Sequence, residues 1–230
     1  MQNELEAREH LARRGRVPIF PLPDVVLFPR ASLSLHIFEP RYRLMTGDAL
    51  RADRLIALAL LKPGWEKAYH GSPDVFPVGC AGLIEDEARL PDGRLNIRLR
   101  GIARIAIGET LQHRPYRVAA VRVLEDVNQE DDPALDDDKR RLLASCAGLL
   151  QEVSGRDAGP VVLDARLPFA IAVNTLCQSL ALSPTLRRRL LEADDVRERC
   201  RTLTAFLERR WREIVLARAA GDSDPATGVH

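Results

Sequence analysis

Four prolines, Pro18, Pro21, Pro23 and Pro29, cut the apolar stretch from Ile19 to Phe28 into pieces too short for a helix. Each proline fixes its own φ, removes a backbone donor and drives its predecessor out of the helical region. The segment left between them, Val25–Phe28, is rich in strand-forming side chains and is expected to be extended. Ser32, Ser34 and His36 then alternate with Leu33, Leu35 and Ile37, the period-two pattern of a half-buried strand. Pro40 is acceptable at a first helical position and opens a helix over 41–50, with Tyr42, Met45 and Ala49 on one face. A chain that begins this way is committed to a sheet of short strands. Phe20, Leu22, Phe28, Leu35 and Phe38 are predicted for its core, and His36 is predicted to be structural, hydrogen-bonding strand ends.

The following residues extend that sheet. Leu55–Leu61 is apolar on both faces and reads as a central strand. A loop over 62–77 carries Trp65, Tyr69, His70 and Phe76, and a strand follows over 78–85. Pro91–Arg94 is a hairpin turn in which Gly93 supplies the positive φ. Leu95, Ile97 and Leu99 alternate with Asn96, Arg98 and Arg100, and Gly101 marks a bulge before the strand continues over 102–107. The last strand is expected over 116–124. About six short, closely linked strands with one inserted helix suit a small curved antiparallel sheet or barrel.

Beyond residue 125 the pattern changes. Eight acidic residues between Glu125 and Asp138 mark a solvated linker that ends in helix N-terminal acids, and their spacing fits no calcium loop. Helices are predicted over about 134–152 and 168–181, with a turn over 154–160 between them. Ser183 caps a short third helix. Asp194 or Asp195 caps a fourth, on which Val196, Cys200, Leu203, Leu207, Trp211 and Ile214 form an apolar stripe opposite an arginine-rich face that includes Arg197, Arg199 and Arg201. The expected organisation is an extension over 1–15, either mobile or a docked helix ended by Gly15, then a β domain over 16–126. An acidic linker over 127–133, a helical domain over 134–218 and a disordered tail over 219–230 complete it. The fold class is α+β.

Composition narrows the function. The 230 residues carry 34 basic and 33 acidic side chains, a net charge of +1, so no global field draws nucleic acid or an anionic membrane. Aromatics make up 5%, too few for a base-stacking surface of any extent. No apolar run approaches the roughly 18 residues of a membrane helix, and the polar N-terminus lacks a signal peptide's apolar region. Cys80, Cys146, Cys177 and Cys200 include no paired spacing and are predicted to be small buried hydrophobes in a reducing cytoplasm. The histidines show no zinc-binding spacing. No cofactor or metal is expected.

The residues from Pro18 to Pro29 and from Leu35 to Arg43 resemble the opening of the Lon N-terminal domain family, in the branch found in stand-alone bacterial proteins and larger eukaryotic ones. Val78–Ile84, Asp92–Ile97 and Gly101–Arg104 continue the likeness, which spans roughly residues 17–216. The resemblance implies a PUA-like β-barrel followed by helices. Full-length Lon proteases add an ATPase and a Ser–Lys peptidase. This chain has no Gly-Lys pair for a phosphate-binding loop, and its lysines, Lys62, Lys67 and Lys139, lie in loop or boundary segments. No catalytic residue is assigned.

The resemblance implies a non-enzymatic module that recognises unfolded or extended polypeptide, with a protease or chaperone as partner. A sheet edge suits that task by strand addition, and Trp65, Tyr69 and Phe76 are candidate apolar contacts. The groove between the β and helical parts is a second candidate. Peptidase-related hydrolysis is the alternative that the family association suggests. RNA binding is another, and would need Arg94, Arg98, Arg100 and Arg104 to form one solvent-facing stripe.

Overall fold

The computed structural model describes residues 2–68, 71–113, 115–128, 132–153 and 164–221. Helix α1 (Gln2–Arg14) precedes strands β1 (Arg16–Leu22) and β2 (Ser32–Ile37), helix α2 (Pro40–Arg51) and strand β3 (Leu55–Leu60). Strands β4 (Val78–Arg89), β5 (Leu95–Gln112) and β6 (Arg117–Val123) complete the sheet. Helices α3 (Asp136–Val153), α4 (Phe169–Ser179), α5 (Pro184–Glu192) and α6 (Val196–Gly221) follow. The predicted turn over 154–160 lies outside the described residues, as does the tail from 222.

The strands run in the order β2-β5-β4-β3-β1-β6, and β5 also pairs with β6. Five strands therefore close into a barrel, leaving β2 outside the ring on the first half of β5. The sheet is mixed rather than antiparallel as expected, because β1 pairs in parallel with β3. The prolines show how β1 tolerates this position. Its first half pairs with β6 through Arg16–Ile19 and its second with β3 through Ile19–Leu22. Most of the strand is thus bonded on one side at a time, where a missing donor costs least. Val25–Phe28 joins no ladder, contrary to expectation. Flanked by Pro23 and Pro29, it is buried as an irregular segment, and the Phe28 N–H donates to the side-chain carbonyl of Gln178 at 3.1 Å.

Alternation along the strands separates two apolar clusters. Ala57, Ala59, Ala81, Ala103 and Ala119 pack with Val17, Ile19, Leu55 and Ile105, and Leu11 of α1 closes the set. Small side chains let so narrow a barrel close. The opposite face, with Ile56, Leu58, Leu60, Cys80 and Ile84, joins α2 and the helices in one continuous core that includes Phe169, Val173, Leu203 and Leu207. The N-terminal extension is a docked helix. It ends at Gly15, whose φ of 60° and N–H bond to the Leu11 carbonyl are those of a helix terminator. At Gly101 the β4 register slips, leaving Ile102 as the extra residue of the predicted bulge.

Ser183 caps α5 by accepting from the Leu186 N–H, and Asp195 does the same for α6 from the Arg197 N–H. On α6 the apolar stripe is buried only through Leu207. Trp211 is 41% exposed, and Val215 and Leu216 face outward. Among the described residues no helix is long and apolar enough to cross a membrane.

All four cysteines are free and buried. Burial pushes the Cys146 thiol up to about 11 and those of Cys177 and Cys200 up to about 12, and raises Cys80 as well. Thiolate is the reactive form. Native protein is therefore expected to leave an aromatic disulfide reagent unreacted at pH 8, and to release four equivalents of thiol once unfolded in guanidinium. Rapid reaction of one thiol before unfolding would contradict this burial.

Candidate functional site: an open strand edge beside a locked junction

The open edge of the sheet is β2. Across it, Ser32, Ser34 and His36 stand opposite Arg100, Arg98 and Asn96, while Leu33, Leu35 and Ile37 stand opposite Leu99, Ile97 and Leu95. The first three pairs therefore line the solvent face and the second three the core face. The Gly101 N–H bonds to the Ala31 carbonyl at 2.9 Å and sets the phase of the ladder. Bonding alternates along an antiparallel pair. Odd-numbered residues of β2 thus bond to β5, while Ser32, Ser34 and His36 turn their N–H and C=O groups outward, where no strand pairs with them among the described residues.

At the end of this edge stands Phe38, predicted for the core but 58% exposed. Alternation explains the correction: Ile37 takes the inward position, so Phe38 continues the outward face begun by His36. The two rings stack at 6.1 Å between centroids and 24° between planes. His36 is held across the ladder, its Nδ1 2.7 Å from Oδ1 of Asn96, as its predicted structural role requires. A buried strand face thus supports an exposed aromatic ring beside a row of unpaired backbone groups.

The predicted aromatic loop is less open. Phe76 packs against the main core, with the Arg188 guanidinium 4.4 Å from its ring centroid, so it fills the seam between sheet and α5. Trp65 lies partly buried in a single 3-10 turn, and Tyr69 falls outside the described residues. The three are not shown as one apolar surface.

The arginine stripe is divided. Arg94 pairs with Asp92 at 2.6 Å, and Arg98 pairs with Glu85 at 3.2 Å and also with Asp86. Arg100 is half-buried with Nη1 3.5 Å from the Ser32 hydroxyl. Arg104 cannot belong to a solvent-facing stripe, because it is 1% exposed. Past the bulge at Gly101 its side chain points into the junction between sheet and helices.

That junction is an ionic lock. Arg104 donates through Nε to Asp126 and through Nη2 to the Glu125 carbonyl at 3.0 Å and to Asp194 at 2.8 Å. Its Nη1 reaches the Leu191 carbonyl at 3.1 Å. Arg199 of α6 donates to the Leu190 carbonyl at 2.8 Å, the Ala193 carbonyl at 2.8 Å, Oδ1 of Asn174 at 2.5 Å and Asp126 at 3.3 Å. The two guanidiniums thereby satisfy the terminal carbonyls of α5, which form the negative end of its dipole. The Asp126 carboxylate joins them.

Two expectations are corrected here. Arg199 is expected on a solvated helix face and Asp126 in a solvated linker, yet the Arg199 side chain is fully buried and that of Asp126 is only 10% exposed. Arg199 does fall three residues after Val196 and four before Leu203, so the helical period marks its burial. The nearby linker is also pinned: Val127 bridges in parallel to Asp195, and its N–H bonds the Asp194 carbonyl at 2.9 Å. Residues 129–131 lie outside the described residues.

The expected junction groove is present as a cavity of about 520 Å³. Leu5 and Arg8 of α1, Ile102 and Arg104 of β5, Asp126 and Asn174 line it. No group of three or more metal-ligating side chains occurs among the described residues.

The sequence pattern of the ATP-dependent protease La (LON) substrate-binding domain matches residues 16–209. A Lon protease of Desulfosudis oleivorans is 26% identical over 197 residues, which are 83% of this chain and 23% of that protein. Lon protease 2 of Herpetosiphon aurantiacus is 30% identical over 193 residues, again 83% of this chain and 23% of its own length. The chain thus spans about a quarter of the curated relatives it matches. The crystal structure of a Lon N-terminal domain protein from Xanthomonas campestris aligns with a TM-score of 0.60 and 27% identity, covering 83% of this chain and 97% of that one. The N-terminal domain of a Mycobacterium avium complex Lon protease has the same fold, with a TM-score of 0.63 at 19% identity. Together with the barrel and its helical partner, the match over residues 16–209 shows that the chain belongs to the Lon substrate-binding domain family.

Proposed function

We propose that this chain is a non-catalytic recognition module that binds unfolded or extended polypeptide by strand addition to β2, and that it presents such clients to a protease or chaperone. The observation that carries this reading is the unpaired edge of β2 ending at the exposed Phe38. An extended peptide can complete the outward backbone groups of Ser32, Ser34 and His36 whatever its sequence, while Phe38 contributes apolar contact. Such recognition selects unfolded chain, because a folded protein has already used its backbone hydrogen bonds. The family's substrate-binding role supports the same reading. Four free buried thiols fit a reducing compartment such as the cytoplasm.

The test uses a permanently unfolded, fluorescently labelled client and anisotropy. Phe38→Ala is expected to weaken binding about tenfold, the effect of losing ~1.4 kcal/mol of apolar contact. Ser34→Pro removes an outward donor without breaking a bond to β5, so it should leave the fold intact and suppress binding. Casein should remain uncleaved with or without ATP. Unchanged affinity in a folded Ser34→Pro variant would exclude the β2 edge.

A further inference from the structure

At the other end of the barrel lies a cavity of about 650 Å³, lined by Ile19 and Pro21 of β1, Arg41 and Tyr42 of α2, a loop over 71–73, and His113, Pro115, Tyr116 and Arg117. Among the described residues, none of these linings is acidic. Arg117 is 8% exposed. Its Nη2 donates to the Pro73 carbonyl at 2.6 Å and to the Ser72 hydroxyl at 3.1 Å, both neutral acceptors. Its Nε is buried without a hydrogen-bond partner. No carboxylate lies within ion-pair distance of it among the described residues. Burial lowers its proton affinity and the like charge of Arg41 lowers it further, while Tyr42 and Asp74 act in the opposite sense.

A buried cation without a counter-charge is costly, so structures seldom keep one without a use for it. Here its surroundings also favour negative charge. Arg41 stands in the first turn of α2, at the positive pole of the helix dipole, with Glu39 at the N-cap and no acid within the turn itself. Glu39 neutralises part of Arg41 at 3.0 Å, but no such acid reaches Arg117. The Ser72 hydroxyl, shared between Arg117 and His113 Nδ1 at 3.1 Å, is a polar group that an anion can share or displace. Tyr42 and Tyr116 form rigid walls. Tyr42 rests on Phe20 at 4.3 Å, and Tyr116 donates to Asp48 at 2.7 Å; burial first, and then this bond, push its phenol up to about 12.

We propose that this cavity binds a single oxyanion group, a carboxylate or a phosphate, which completes the charge of Arg117 with help from Arg41 and Ser72. The site adjoins the second half of β5, where β6 pairs, whereas β2 pairs with the first half, and it does not depend on the β2 edge. Two sources share this chemistry: the terminal carboxylate of a polypeptide and free phosphate.

The test measures thermal shifts of the full chain at constant ionic strength with three probes: inorganic phosphate, a hexapeptide with a free C-terminus, and the same hexapeptide amidated. Saturable stabilisation by phosphate or by the free acid, with the amide weaker, is the expected result, and which probe acts identifies the source. Arg117→Met should weaken that response at least tenfold. If Arg117→Met does not fold, Arg41→Gln and Ser72→Ala carry the test, each with an expected weakening of threefold or more. The proposal is overturned if neither anion saturates, if amide and acid act alike and phosphate does not act, or if the folded variants respond as the wild type does.

Discussion

Asp126→Ala is expected to destabilise the fold by about 3–5 kcal/mol, the usual consequence of removing one partner from a buried ion pair. Among the described residues, this carboxylate is the one acid that touches both Arg104 and Arg199, whose side chains are fully buried. Its loss leaves two guanidiniums beside each other with only carbonyls and the peripheral Asp194 to balance them. For a chain of 230 residues this corresponds to a drop in melting temperature on the order of 10 °C. Asp194→Ala is the internal comparison. Asp194 also binds Arg104, at 2.8 Å, but its side chain is 71% exposed, so its removal should cost no more than about 1 kcal/mol. Calorimetry of both variants reads the difference. An Asp126→Ala loss no larger than about 1 kcal/mol would mean that water reaches Asp126 and that the lock contributes little to joining sheet and helices.

The second large effect is expected at Gly101. A Cβ there would lie 2.1 Å from the Phe28 carbonyl oxygen, 2.9 Å from its carbon and 3.2 Å from the Pro29 Cα. All three are backbone atoms, and the segment cannot move freely. The Arg30 N–H bonds the Gly101 carbonyl at 2.7 Å, and the Gly101 N–H bonds the Ala31 carbonyl at 2.9 Å. Gly101→Ala is therefore expected to cost roughly 3 kcal/mol or more, the upper range for overpacking. Its effect should also reach β2, because the same contacts set the register of the open edge. Gly108→Ala, in the same strand, meets nothing nearer than 3.4 Å and should change stability by less than about 1 kcal/mol. Urea unfolding of the two variants separates close approach from any general cost of replacing a strand glycine.

Much of this architecture is legible from local pattern. Proline spacing and period-two alternation place β2 and the hairpin. Gly15, Gly101 and Ser183 each mark the terminator, bulge or cap that the structure contains. The misplaced residues share a cause. Hydrophobicity alone points Phe38 inward, although alternation from Ile37 turns it outward. Charge alone points Arg199 to solvent, although its spacing from Val196 and Leu203 turns it inward. In both cases the period was the better guide than the side chain's polarity.

Arg104 and Asp126 carried no comparable local signal. Arg104 lies in the same alternating hairpin sequence as the exposed Arg98, and only the shift at the bulge and the arrival of α5 and α6, some 90 residues further on, bury it. The parallel pairing of β1 with β3 likewise rests on contacts that no window of sequence contains.

Sequence alone determined most of the strands and helices, Val25–Phe28 excepted, because φ restriction and side-chain period act within a few residues. Tertiary structure decided which strand edge stays unpaired, which arginines lose their water and where a cation is buried without a counter-charge. Those outcomes depend on closing the barrel and docking helices onto it, and the desolvation and pairing that follow are set by residues distant in the chain.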